Sequence, residues 1–232
     1  MTELRQNSFQ EISGESISNP QEPHLACVLL LDTSISMGGE PIRLLNKAYA
    51  DFIEQTSADE LAKKRVDLAV VEFNTHARVV QEFTPLSQLR PIELTANGNT
   101  SMGEGINLAI DLVKERNRFY ADMGTPCFQP WIFMITDGSP TDDLTRARER
   151  IREEESKGTF GKLKFWAVGS PGYDADTIAS LTRRCIALDG ANYDGIFNWL
   201  SESMSIISVS RVDENPQLSN LPKDAHVIPR GW

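Results

Sequence analysis

The chain has 232 residues, with 23 basic against 33 acidic side chains and a formal charge of −10. That length suits one domain, and 40% apolar with 24% charged residues is ordinary globular composition, which excludes a disordered, collagen-like or coiled-coil chain. The acidic balance disfavours nucleic acid and anionic membranes, because phosphate binding needs a positive footprint.

Residues 1–22 are polar and read as an N-terminal arm. The longest apolar run, Leu25 to Leu31, is far short of the ~20 residues of a membrane span. It is too short for a helix and apolar on both faces, which predicts a central strand of a covered parallel sheet over 24–32. No signal peptide is visible before it. Residues 41–57 carry Ile42, Leu45, Tyr49 and Phe52 at near-helical spacing behind Pro41, a residue suited to a first helical turn. Strands at 65–73 and 77–83, joined by Asn74-Thr75-His76, are close enough to be antiparallel. A helix follows over 103–121, with Ile106, Ala109, Ile110 and Val113 on one face, and then a buried strand over 131–136. Residues 142–157 read as a charged helix with a thin stripe of Leu144, Ala147 and Ile151. A strand over 163–169, a helix over 174–183, a strand over 185–189 and a helix over 193–209 complete the pattern. A domain over 23–210 and a polar, proline-bearing tail over 211–232 are expected. Strands alternating with helices predict an α/β fold, a doubly wound and mostly parallel sheet with helices on both faces. Its binding crevice lies at the carboxyl ends of the strands.

Two of the most apolar strands end there in aspartate. Asp32-Thr33-Ser34-Ile35-Ser36 in an extended loop aims Asp32, Ser34 and Ser36 the same way, since alternate side chains share a side. Gly98-Asn99-Thr100-Ser101 supplies a third hydroxyl from Thr100, and Thr136-Asp137-Gly138 a second carboxylate from Asp137. This all-oxygen set suits a hard cation such as Mg²⁺. Alone, Asp32, Ser34 and Ser36 would equally serve as a helix-capping loop. Gly38-Gly39 lacks the lysine of a phosphate-binding loop, and His24, His76 and His226 have no ligand spacing to one another. Cys27, Cys127 and Cys185 form neither a disulfide framework nor a zinc spacing, so a cytoplasmic setting is expected. Arg146 to Lys157 reads as a solvated helix face.

Asp-x-Ser-x-Ser after an apolar strand, a Thr in a glycine-containing loop, and Ile-Thr-Asp-Gly after a later strand resemble a von Willebrand factor A domain over roughly residues 24–209. The resemblance implies a Rossmann-like sheet of six strands with one antiparallel strand. It also implies a metal-ion-dependent adhesion site built from Asp32, Ser34, Ser36, Thr100 and Asp137. Met37 to Ile42 and Pro130 to Asp142 are further similar to the bacterial TerY/YegL-type branch linked with tellurium resistance. That likeness implies a scaffold in phosphorylation-linked stress response, working with a protein kinase or phosphatase. Such a site takes Mg²⁺, with Mn²⁺ or Ca²⁺ as substitutes, and a partner's Asp or Glu carboxylate completes it. Met37, Gly38, Asn74, Asn99, Ser101, Ser139 and Thr141 are expected around it as a neutral partner-binding rim, although Met37 by itself reads more readily as packing under the loop. No general base, nucleophile–His–acid trio or nucleotide loop stands out, so catalytic residues are not assigned. The alternatives are a metal-dependent phosphate-ester hydrolase and an adaptor for a chaperone-like ATPase.

Overall fold

The structure, a computed structural model, describes Ile17, residues 19–158 and residues 162–228. Most of the expected arm over 1–22 therefore lies outside the described residues. Seven strands form one sheet: β1 (Leu25–Asp32), β2 (Val66–Phe73), β3 (Ala77–Pro85), β4 (Trp131–Thr136), β5 (Lys164–Gly169), β6 (Arg184–Leu188) and β7 (Ala225–Val227). Their order is β3-β2-β1-β4-β5-β6-β7. The helices are α1 (Glu40–Ala58), α2 (Ala62–Arg65), α3 (Met102–Asp122), α4 (Thr145–Ser156), α5 (Ala175–Leu181) and α6 (Tyr193–Val209).

The expected architecture forms, and the apolar pattern explains it. Every residue of β1, β2 and β4 is buried, as strands covered on both faces require. Leu25, Cys27, Leu29 and Leu31 face a core shared with α1 and α6. Ala26, Val28 and Leu30 face the other core, with Ile106 and Ile110 of α3, Ile151 of α4 and Ile178 of α5. β1 pairs in parallel with both β2 and β4. The chain thus builds outward from β1 in one direction and then returns to build in the other. The reversal of strand order falls between β1 and β4.

Three features differ from the sequence reading. β3 is antiparallel to β2 as expected, but a second antiparallel pair exists between β6 and β7. β7 lies inside the segment expected to be a tail. It is only three residues long within a polar run, and it is held by the Ile228 N–H donating to the Cys185 carbonyl at 2.9 Å. Trp199 Nε1 also donates to the Ser219 carbonyl at 2.8 Å, so this segment is fastened onto α6. Finally, α4 begins at Thr145 rather than at 142. Asp142 is drawn away to accept from the Gly103 and Glu104 N–H groups at 3.0 and 2.9 Å, satisfying free donors at the start of α3.

At the edge where β2 begins, Asp67 is fully buried. It accepts from Arg116 Nη2 at 3.0 Å, pairs with His24 Nδ1 at 3.1 Å and is also bonded by the Tyr120 hydroxyl. Arg116 lies over the rings of Phe83, Phe119 and Tyr120. Burial opposes ionisation of Asp67, but His24, Arg116 and Tyr120 outweigh it and hold the carboxyl below its ordinary range. Asp67→Ala should therefore cost about 3–5 kcal/mol in denaturant unfolding, because it removes the carboxylate that a buried guanidinium, imidazole and phenol share. Because the folded value is depressed, this stabilisation is complete above the ordinary carboxylate range. It should be lost as pH falls through the depressed value. In Asp67→Asn the corresponding acid-side slope of stability should disappear.

Candidate metal centre

The reversal of strand order places the ends of β1 and β4 side by side, with Asp32 closing one and Asp137 following the other. Asp32 is fully buried and Asp137 is 8% exposed. The Ser34 N–H donates to Asp32 Oδ1 at 2.8 Å, and the Thr136 hydroxyl donates to Asp32 Oδ2 at 2.5 Å. Ser36 Oγ donates to Asp137 Oδ1 at 2.8 Å and lies 3.0 Å from Ser34 Oγ. Thr100 joins from the loop before α3. A Cβ placed on Gly138 would lie 3.6 Å from Thr100 Oγ1 and 3.7 Å from Ser36 Oγ, so these hydroxyls converge beside Gly138. The five residues singled out by the sequence are thus gathered at one sheet edge. The capping alternative is absent, since α1 is preceded by Gly39 with no side-chain cap.

Backbone bonds lace the loops together. Asn97 N–H donates to the Thr33 carbonyl at 2.8 Å and Ile35 N–H to the Gly98 carbonyl at 3.1 Å. Gly98 has φ +70°, and a Cβ there would stand 2.1 Å from Thr75 Oγ1, so both conformation and space require glycine. Thr141 N–H donates to the Thr100 carbonyl at 2.9 Å, while Thr100 N–H donates to Thr141 Oγ1 at 3.1 Å.

The electrostatics test whether a cation fits. Burial raises the Asp32 carboxyl above its ordinary range despite hydrogen bonds from Ser34 and Thr136, and the Asp137 charge adds to the rise. Burial likewise raises Asp137 against its bond from Ser36. Among the described residues no Lys, Arg or His forms an ion pair with either. Two buried carboxylates with three neutral hydroxyls and no cationic side chain form a donor set that a divalent oxygen-seeking ion matches.

The expected rim is only partly a rim. Gly38, Asn99, Ser139 and Thr141 are exposed and Asn74 is half-buried. Met37 is not on the surface: it is fully buried, its sulfur 3.9 Å from the Tyr193 hydroxyl. Ser101 is buried too, and its hydroxyl donates to the Thr75 carbonyl at 2.8 Å. Sequence reasoning missed Ile35, which is 70% exposed between the two serines. Alternation alone held the signal, because a residue between two inward hydroxyls points away from them. It also missed Thr136, whose position next to Asp137 gave no sign that it would bond Asp32.

A model of the von Willebrand factor type A domain matches residues 27–163. The chain belongs to this family. Comparison with curated proteins gives no match. Among solved structures, proximal thread matrix protein 1 from the mussel byssus is similar at TM-score 0.55 and 14% identity, over 89% of this chain and 49% of that one. The PilB minor pilin from Streptococcus sanguinis is similar at TM-score 0.55 and 15% identity, over 82% and 63%. Another structure of the byssus protein has a zinc-occupied MIDAS motif, at TM-score 0.54 and 14% identity over 81% and 46%. The chain spans about half the length of the byssus protein and under two thirds of the pilin. These likenesses establish the A-domain fold.

If the two aspartates balance a cation, Mg²⁺ should raise the unfolding temperature of the A domain, as any ligand of the native state does. Asp32→Ala should remove both that rise and calorimetric Mg²⁺ or Mn²⁺ binding while the circular dichroism stays native. Undiminished metal affinity in the folded variant would refute the site.

Proposed function

We propose that this A domain is a Mg²⁺-dependent protein-interaction module, with Mn²⁺ or Ca²⁺ as substitutes and a partner's Asp or Glu carboxylate as the completing ligand. The observation that carries the reading is the pairing of only two buried carboxylates with the hydroxyls of Ser34, Ser36 and Thr100, at an edge that opens onto exposed Ile35, Asn99 and Ser139. A divalent ion held mainly by neutral hydroxyls stays electrophilic and supplies an attachment point for a carboxylate. The chain's own groups prepare that point. Asp137 orients Ser36, Thr136 and the Ser34 N–H fix Asp32, and Thr141 holds the Thr100 backbone. Ile35 offers the partner an apolar contact beside the charge. The −10 charge repels an acidic partner at long range, so local attraction must come from the metal edge.

A binding role is favoured over hydrolysis because, among the described residues, no histidine ring or thiol bonds to Asp32, Asp137 or the three hydroxyls, and His76 on the neighbouring loop turns its ring to Glu104 at 3.7 Å. Two segments, Met37 to Ile42 and Pro130 to Asp142, support the finer reading of a TerY/YegL-type scaffold. In that reading the chain works with a protein kinase or phosphatase in the stress response linked with tellurium resistance. The setting proposed for it is cytoplasmic, on the reading of Cys27, Cys127 and Cys185 as small packing residues rather than a disulfide framework.

A protein captured on the immobilised domain should be released by EDTA and return with Mg²⁺, and less well with Ca²⁺, which prefers longer bonds and more ligands. Changing the partner's single acid to its amide should cost about 2–5 kcal/mol of binding. Capture that persists in EDTA would overturn the reading. Turnover of a phosphate ester with Mg²⁺ or Mn²⁺, lost in Asp32→Ala, would establish the hydrolase instead.

Two substitutions separate the site's layers. Thr100→Ala should weaken partner binding more than metal binding, since the two serines and two aspartates remain. Ile35→Ser should weaken partner binding while leaving calorimetric metal affinity unchanged. An equal loss of both affinities in either variant would contradict this division.

A further inference from the structure

At the sheet edge opposite the metal centre, a cavity of about 350 Å³ lies between α3, the end of α4 and the residues leading into β4 and β5. Lys114 and Arg118 of α3, Lys157 after α4, and Lys162 before β5 line it, facing a single carboxylate, Glu154. In a chain with ten more acids than bases, such a convergence of cations is not a sample of the average surface. Nor do helix ends account for it. Lys157 stands at the carboxyl end of α4, where a cation is favoured, but Lys114 and Arg118 precede the last turn of α3 and Lys162 lies in a loop.

The cations divide into two pairs. Lys114 and Lys157 each reach Glu154 Oε1 at 3.0 Å, and Glu154 is 5% exposed. Burial opposes its ionisation, but the two lysines outweigh that and hold the carboxyl below its ordinary range. Among the described residues the side chains of Arg118 and Lys162 have no hydrogen bond or ion pair. The Asn117 amide oxygen on the same wall is buried without a partner. The wall thus keeps two unspent cations beside an internal ion pair, over an apolar floor of Val113 and Leu163.

We propose that this cavity binds the phosphate group of a small molecule. A phosphate offers oxygens to both unspent cations, to Arg118 through its planar fork and to Lys162 as a point charge. The volume falls in the range of small-molecule sites and leaves room for an organic body on the apolar floor. The phosphate chemistry is shared by free inorganic phosphate and by a phosphate monoester, and the two differ in their use of that floor.

The test is an amide NMR titration of the full chain in EDTA, which removes any metal-bound phosphate, with inorganic phosphate and phenyl phosphate as probes. Saturable shifts confined to 113–118, 154–157 and 162–163 are expected. Phenyl phosphate binding about tenfold more tightly would identify an ester as the ligand, and equal affinities would identify inorganic phosphate. The Arg118→Ala/Lys162→Ala double variant changes only exposed residues. It should bind at least about tenfold more weakly with an unchanged unfolding temperature. Glu154→Gln, which frees Lys114 and removes the carboxylate facing the cavity while Lys157 keeps Glu153 at 2.6 Å, should bind more tightly, and added NaCl should weaken all of these affinities. Unsaturable shifts, shifts scattered over other surfaces, or undiminished affinity in the double variant would overturn the proposal and leave the cations as a solvated helix face.

Discussion

Three aspartates are buried in this protein, and what surrounds each carboxylate decides its role. Asp67 has a guanidinium, an imidazole and a phenol around it, and its charge is held in place. Asp32 and Asp137 have hydroxyls and backbone N–H groups, and burial prevails over those bonds. A native structure rarely keeps a buried charge without a partner, because desolvation costs more than neutral hydrogen bonds return. The contrast within one sheet shows that the fold can supply side-chain cations where it needs them. Among the described residues no side-chain cation pairs with either aspartate at the β1–β4 reversal, and that contrast with Asp67 is the physical basis of the proposed cation site.

The strand-order reversal explains why those aspartates meet. A parallel strand ends its buried run where it leaves the sheet, and a polar residue there faces the crevice between diverging loops. This was legible in the sequence, because Leu25 to Leu31 and Trp131 to Thr136 are apolar on both faces and each run gives way to an acid. The limits of β4 and α6 were legible for the same reason, since strongly apolar periodicity decides them. Contacts between distant segments were not. Asp142 looked like part of a helix, yet it satisfies the start of α3. The polar stretch after Arg211 looked like a tail, yet Leu218 and Leu221 pack against the core and three of its residues complete the sheet.

The rim shows how a change of backbone period defeats an alternation argument. Alternation places Asp32, Ser34 and Ser36 on one side only while the backbone stays extended. At Ile35–Met37 the chain tightens into a 3₁₀ turn, in which three residues make a turn and the period of two is lost. Met37 is thereby carried into the core beside Tyr193, while Ile35 stays outside. Ser101 was misplaced for a related reason. It immediately precedes α3, where serine ordinarily caps the helix, but Thr75 supplies a carbonyl close enough to take its hydroxyl. Asp142 meanwhile serves the helix start that Ser101 leaves uncapped.

Helix α3 connects these local arrangements. Its 21 residues span about 30 Å at 1.5 Å per residue, from the metal edge to the opposite edge of the sheet. At its first turn Asp142 accepts the Gly103 and Glu104 N–H groups, and two residues earlier Thr141 clasps the Thr100 backbone. Near its other end Arg116 and Tyr120 are anchored to buried Asp67. Sliding the helix along its axis would break the charged group at one end and the carboxylate bonds at the other. Moving the Thr100 loop alone would break its paired bonds to Thr141. The backbone position of Thr100 is therefore fixed by bonds internal to the protein. Fixing that backbone in advance lowers the entropic cost of the proposed metal binding, and the buried Asp67 cluster, which anchors the other end of α3, helps to hold the helix from which the Thr100 loop leads.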